Sequence, residues 1–143
     1  MKTSQKGIDL IKEFEGFRSK AYLCPGGIWT IGYGHTKGVR PNDIVTQRQA
    51  EDLLRKDLLE YESAVNNLIK VDITQNQFDA LVSLVYNIGV GNFFDSTVRK
   101  LINQQCLDIS RIEHAWCMWK RAGGRTLSGL MRRREAEFKL FKQ

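Results

Sequence analysis

At 143 residues, 42% hydrophobic and 27% charged, the chain has the length and composition of one compact domain or two small lobes. Only two prolines and no Gly/Ser, Gln/Asn or acidic tract argue against a disordered linker, and no stretch approaches the roughly 18 apolar residues of a membrane span. The net charge of +6 lies at one end: residues 120–143 hold eight Lys/Arg against Glu135 and Glu137, and the first 119 residues hold 14 of each sign. An anionic partner such as nucleic acid, a membrane surface or a cell-wall polymer would meet that end.

At the N-terminus, Ile8, Ile11 and Phe14 recur at helical spacing behind Thr3 and Ser4 as caps, which predicts a short helix ending near Gly16. Asp9, Lys12 and Glu13 interrupt it, so it lacks the apolar core of a signal peptide, and the chain is expected to remain in the cytoplasm on its own signals. Residues 17–35 change to Gly, Pro, aromatic and β-branched types. They predict a small β-hairpin or three-strand sheet with its tight turn at Pro25-Gly26-Gly27. Gly32 and Gly34 are expected to permit close backbone approach.

Thr46 and Gln49 form a capping box, and Ala50, Leu53, Leu54, Leu58, Tyr61, Val65 and Leu68 then keep helical period for about five turns, long enough to connect two lobes. A second box, Thr74 with Gln77, opens a central helix through Phe78, Leu81, Val82, Val85 and Ile88, with Gly89 as its stop. Shorter helices are expected at 96–103, 110–121 and 128–142, the last two separated by Gly123-Gly124. On a helical wheel, Leu127, Leu130, Met131, Phe138 and Phe141 share one face of the last helix with Arg134, which should therefore be partly buried and need a carboxylate. Glu15 or a neighbouring acid is the expected partner. Arg132, Arg133, Lys139 and Lys142 are assigned to a basic outer surface.

The fold class is therefore α+β and predominantly helical, a single domain of 143 residues. A small β lobe covers about 16–45, a long connecting helix about 46–68, and a helical lobe about 74–143 together with the N-terminal helix. Cys24, Cys106 and Cys117 form no CxxC pair, and an odd count without a secretory signal argues against disulfides and against a zinc site. Cys106 and Cys117 read as small buried hydrophobes. No metal and no cofactor is expected.

Glu15 stands where the first helix meets the β region, the kind of junction at which clefts form, and partial burial there favours the protonated form that a general acid must present. The run EGFRSKAYLCPGGIWTIGYGHT, beginning at Glu15, resembles the catalytic segment of the phage lysozymes, the muramidases of glycoside hydrolase family 24. Their pattern is Glu, eight residues, Asp or Cys, five residues, Thr, and Glu15, Cys24 and Thr30 meet both spacings. The resemblance returns at QFDALVSLVYNIG and at WKRAGGRTLSGLMRRREAE, and extends in helix order over essentially the whole chain.

The resemblance implies a lysozyme-like two-lobed fold and hydrolysis of the β-1,4 bond between N-acetylmuramic acid and N-acetylglucosamine in peptidoglycan. Glu15 would be the general acid, with Cys24 and Thr30 holding and activating the hydrolytic water. Many members carry Asp at the position of Cys24. A thiol with an ordinary pKa of about 8.5 is mostly protonated at neutral pH, which leaves a thiolate base, a hydrogen-bond partner of the water or a covalent nucleophile as roles, the water-positioning one being favoured. A buried structural thiol is the alternative.

The resemblance further implies a structural ion pair between His35 and Asp57, and substrate contacts by Thr36 and Tyr86. It implies a monomer that accumulates in the host cytoplasm until a separate pore-forming holin releases it to the wall. Contact between the basic last helix and an anionic membrane is a further expectation. A non-catalytic wall- or membrane-active protein is the main competing class, and chitin is a second glycan the same chemistry could cut. Nucleic-acid binding ranks below these, because no nucleic-acid motif accompanies the basic run.

Overall fold

The computed structural model describes residues 1–122 and 124–143; Gly123, half of the expected Gly123-Gly124 separator, lies outside the described residues. In chain order the elements are α1 (Gln5–Glu15), β1 (Arg18–Leu23), β2 (Trp29–Gly32), α2 (Gln47–Leu68), α3 (Gln75–Ile88), α4 (Val90–Phe94), α5 (Thr97–Asn103), α6 (Ile109–Cys117), β3 (Arg121–Ala122), β4 (Arg125–Thr126) and α7 (Ser128–Lys142). The fold is α+β and mostly helical. It divides into two compact units, residues 11–59 and residues 1–10 with 60–143, the chain passing from one to the other within α1 and within α2. Among the described residues no helix is long and apolar enough to cross a membrane.

In the unit of residues 11–59, α1 ends because Gly16 takes φ 72°, a left-handed turn that an L side chain resists, while its N–H still closes on the Lys12 carbonyl at 3.0 Å. The chain then enters an antiparallel hairpin whose register pairs Arg18 with Gly32, Tyr22 with Thr30 and Leu23 with Trp29, with a bulge between Arg18 and Tyr22. Beside it the expected third strand is reduced to two isolated bridges, Lys20 with Ile44 and Ile31 with His35. The intervening segment holds Pro41, which has no N–H to give, and Asn42 at φ 74°, so an extended ladder cannot continue.

Gly32 lies at φ 65°, and a Cβ there would sit 3.0 Å from the Cβ of Ala50, so its lack of a side chain lets β2 approach the first turn of α2. That turn starts on the expected box: Gln49 N–H donates to Thr46 Oγ1 at 3.1 Å, and Thr46 N–H donates to Gln49 Oε1 at 2.9 Å. Ile11, Ala21, Ile31, Tyr33, Ala50, Leu54 and Leu58 form the unit's buried core.

The larger unit is organised on α3. Every residue from Phe78 to Val85 is buried, so the helix is packed on all sides, and Asp79 and Ser83 must then find partners inside. Asp79 accepts from the Ser4 N–H at 3.0 Å, from the Ser4 hydroxyl and from Gln75 Nε2 at 2.8 Å. Buried Glu62 takes the Thr3 N–H at 2.8 Å and the Thr3 hydroxyl at 2.6 Å. Trp116, Phe138 and Phe141 form an aromatic cluster with ring centroids 5.2 to 5.6 Å apart.

The inner face of α7 differs from the wheel projection. Leu127 and Met131 are exposed, while Arg133, assigned to the basic outer surface, is only 3% exposed. The reason is a buried polar network on α7 that a hydrophobicity wheel does not weigh. Arg133 Nε donates to Glu137 Oε2 at 3.2 Å and its Nη2 to the Ser83 carbonyl at 3.2 Å. The carboxylate that Arg134 needs is likewise Glu137, three residues on.

Three smaller departures complete the comparison. Helix α6 stops at Cys117 and gives way to the short β3–β4 pair, Arg121 with Thr126 and Ala122 with Arg125. Gly89 does end α3, but it also starts the short helix α4, which apolar periodicity over five residues could not announce. Finally, Cys24, Cys106 and Cys117 are all free and half-buried, so Cys106 and Cys117 are not fully buried core residues.

Candidate active site

Glu15 is the last residue of α1 and half-buried, with only Gly16 and Phe17 between it and β1. Its backbone is held from both sides by one residue that sequence reasoning overlooked. The buried ring of Tyr33 takes the Phe17 ring at 5.6 Å between centroids, and the Lys12 ammonium lies 5.4 Å from the same centroid. Lys12 is fixed in turn by Glu51 on α2 at 2.8 Å. The residues before and after Glu15 thus share an anchor, which the aromatic in TIGYGH could have signalled.

Cys24 directly follows β1. Its N–H donates to the Ile28 carbonyl at 3.0 Å and its carbonyl accepts from Gly27 N–H at 2.8 Å, closing the turn that the Pro25-Gly26-Gly27 run predicts. With Tyr22 opposite Thr30, the alternation of strand side chains puts Cys24 on the hairpin face that carries Thr30. The tight turn also bends backbone N–H groups toward the sulfur. Hydrogen bonds from Ile28 and then Gly26 hold the Cys24 thiol below the ordinary cysteine range, against a smaller opposing effect of desolvation, with the Thr30 side chain adding to the lowering.

Thr30 is buried and donates its hydroxyl to the Ile28 carbonyl at 3.0 Å. A hydroxyl has a single proton, so donation to the sulfur competes with this bond. Glu15, Cys24 and Thr30 all belong to the unit of residues 11–59.

The His35 ring lies between two acceptors: Nδ1 is 2.8 Å from Asp57 Oδ2, and Nε2 is 2.8 Å from the Lys37 carbonyl. A ring carrying a proton on each nitrogen satisfies both. Thr36, next in the chain, is exposed. In the other unit, Tyr86 is half-buried in the last turn of α3, with the Tyr61 ring edge-on at 5.1 Å. Arg132, Lys139 and Lys142 are exposed on α7, and Lys142 lies 3.9 Å from Glu113 and 5.7 Å from the Phe138 centroid. Among the described residues no group of three or more His, Cys, Asp or Glu side chains converges to hold a metal ion.

The chain as a whole is similar to known proteins. The family model described as phage lysozyme matches residues 12–137. An endolysin of Acyrthosiphon pisum secondary endosymbiont phage 1 is 47% identical over 99% of this chain and 98% of its own length. An endolysin of Bacillus phage B103 is 43% identical over 99% of this chain but 54% of its own, longer sequence. Among solved structures, the muramidase domain of SpmX from Asticaccaulis excentricus superposes with a TM-score of 0.92 at 43% identity, over 99% of this chain and 98% of that one. The chain belongs to the phage lysozyme family and is a lysozyme, a hydrolase of the muramidase class.

Proposed function

We propose that this lysozyme is an endolysin that hydrolyses the β-1,4 bond between N-acetylmuramic acid and N-acetylglucosamine in bacterial peptidoglycan, and so lyses the host cell. In this reading Glu15 gives its proton to the glycosidic oxygen as the bond from the sugar's anomeric carbon breaks. A water attacks that carbon from the opposite face, and its proton passes to the Cys24 thiolate. The turn amides of Ile28 and Gly26 stabilise that thiolate, and the Thr30 hydroxyl orients the water or the sulfur. One observation carries the proposal: the lowered thiol of Cys24 shares a hairpin face with Thr30, at the family's spacing from Glu15.

His35 and Asp57 brace the site rather than react in it. Thr36 and Tyr86 contact the glycan, and the enzyme works as a monomer, residues 1–143 forming one lysozyme-like domain. Exposed Arg132, Lys139 and Lys142 add a salt-sensitive attraction to anionic wall polymers or to a membrane surface. The burial of Phe138, Leu140 and Phe141 supports a docked α7 over one free to insert in a bilayer, which weighs against the purely membrane-active alternative. The enzyme waits in the host cytoplasm until a separate pore-forming protein opens the membrane.

Product analysis of digested peptidoglycan tests the bond assignment. A new reducing end on N-acetylmuramic acid is expected; a reducing end on N-acetylglucosamine, or an anhydro-sugar product, would contradict it.

A further inference from the structure

The buried run of α3 ends at Val85, so Tyr86 is the first residue after that run to reach solvent. Three residues later the helix is stopped by Gly89, whose φ of 91° breaks the helical path. The last turn of a helix frays more readily than its middle, so a contact from outside the helix steadies a side chain carried there. One such contact comes from α2. The Tyr61 ring meets Tyr86 with centroids 5.1 Å apart and planes at 88°, an edge-to-face contact. Tyr61 is itself set in a firm stretch, next to Glu62, which is buried on Thr3, and one turn before fully buried Val65. Both tyrosines are half-buried, so each keeps part of its surface in water.

Two rings at right angles make a corner. A pyranose offers a flat face of C–H groups that lies well on an aromatic ring, and a second ring standing beside it limits how the sugar can turn. We propose that Tyr61 is a positioning residue for substrate: it locks the Tyr86 ring in the orientation that receives an N-acetylhexosamine of the glycan strand. This rests on the reading of Tyr86 as a glycan contact. The contribution is preorganisation. Without the Tyr61 ring, Tyr86 spreads over more rotamers and must be ordered when sugar binds, which weakens binding without touching the chemical step.

The test is steady-state kinetics on soluble, uncrosslinked glycan strands for Tyr61→Leu, Tyr61→Phe, Tyr86→Ala and the Tyr61→Leu/Tyr86→Ala double variant, with thermal unfolding as a check on folding. Tyr61→Leu should raise KM roughly three- to tenfold with kcat unchanged. Tyr61→Phe, which keeps the ring, should match the wild type, and the double variant should be no worse than Tyr86→Ala alone. If Tyr86→Ala leaves KM unchanged, the reading of Tyr86 fails and the role of Tyr61 falls with it. If Tyr86→Ala raises KM while Tyr61→Leu does not, or if the two effects add, Tyr86 stands and the positioning role is wrong. Should Tyr61→Leu unfold at the assay temperature, Tyr61→Met supplies flexible apolar volume without a ring face and is read by the same criteria.

Discussion

Arg134 and Glu137, three residues apart on α7, are both fully buried, with Arg134 Nε 2.8 Å from Glu137 Oε1. That contact is an ion pair without hydrogen-bond alignment. The directed bond runs from Nη2 to Oε2 at 3.2 Å, while Nη1 donates to the Trp119 carbonyl at 3.3 Å. Glu137 also accepts from Ser83 Oγ at 2.5 Å, Trp116 Nε1 at 3.2 Å and Arg133 Nε at 3.2 Å. One carboxylate therefore serves two buried guanidinium groups. Burial pulls Arg134 below its usual range, and the charge of Glu137 works against that pull.

Removing this carboxylate strands two buried cations. Glu137→Ala should cost about 3–5 kcal/mol and lower Tm by roughly 10 °C or more in thermal unfolding. A loss no larger than that of an exposed substitution such as Glu13→Ala would contradict this account of how α7 is held.

The His35–Asp57 pair, each side chain 13% exposed, should behave as a brace. Asp57→Asn should destabilise by about 1.5–3 kcal/mol, the range for a hydrogen bond to a charged group, with activity falling no further than the folded fraction does. Abolished activity in a fully folded His35→Asn variant would instead move His35 into the chemistry.

Because Cys24 is held below the ordinary thiol range, its thiolate persists to lower pH than that of an unperturbed cysteine. Alkylation followed peptide by peptide in mass spectra should give Cys24 a midpoint below that of an unperturbed cysteine. Cys117, pushed up by burial and by the nearby carboxylates of Glu113 and Glu135, should give a midpoint above its ordinary value. Thr30→Val should move the Cys24 midpoint upward. If the thiolate is the base, activity rises with pH through that same midpoint, and Cys24→Asp, ionised near pH 4, carries the acid limb to lower pH. Wild-type rates in Cys24→Ser would remove the sulfur from the mechanism, and a trapped glycosyl-thioether would make it a nucleophile.

Much of the fold was legible because its signals are local. The Thr74 box and Gly89 bound α3, the Thr46 box opens α2, and Pro25-Gly26-Gly27 turns the hairpin; each acts within four residues of itself. What was not legible depends on distant partners. The helical wheel turned Arg134 inward, but Arg133 beside it is turned inward by Glu137 together with Ser83 on α3, 50 residues away. The Phe17–Tyr33 anchor joins residues 16 positions apart across the hairpin. At the site, spacing named Glu15, Cys24 and Thr30, but the backbone amides that tune Cys24 carry no side-chain signature. Only the closed turn reveals them.

The account depends most on Glu15. Purified Glu15→Gln, shown folded by circular dichroism and thermal unfolding, should release reducing ends from peptidoglycan at least about a hundredfold more slowly than the wild type, since the amide has no proton to give the leaving oxygen. Release at close to the wild-type rate would contradict the assignment of Glu15 as the general acid, and with it the mechanism proposed here.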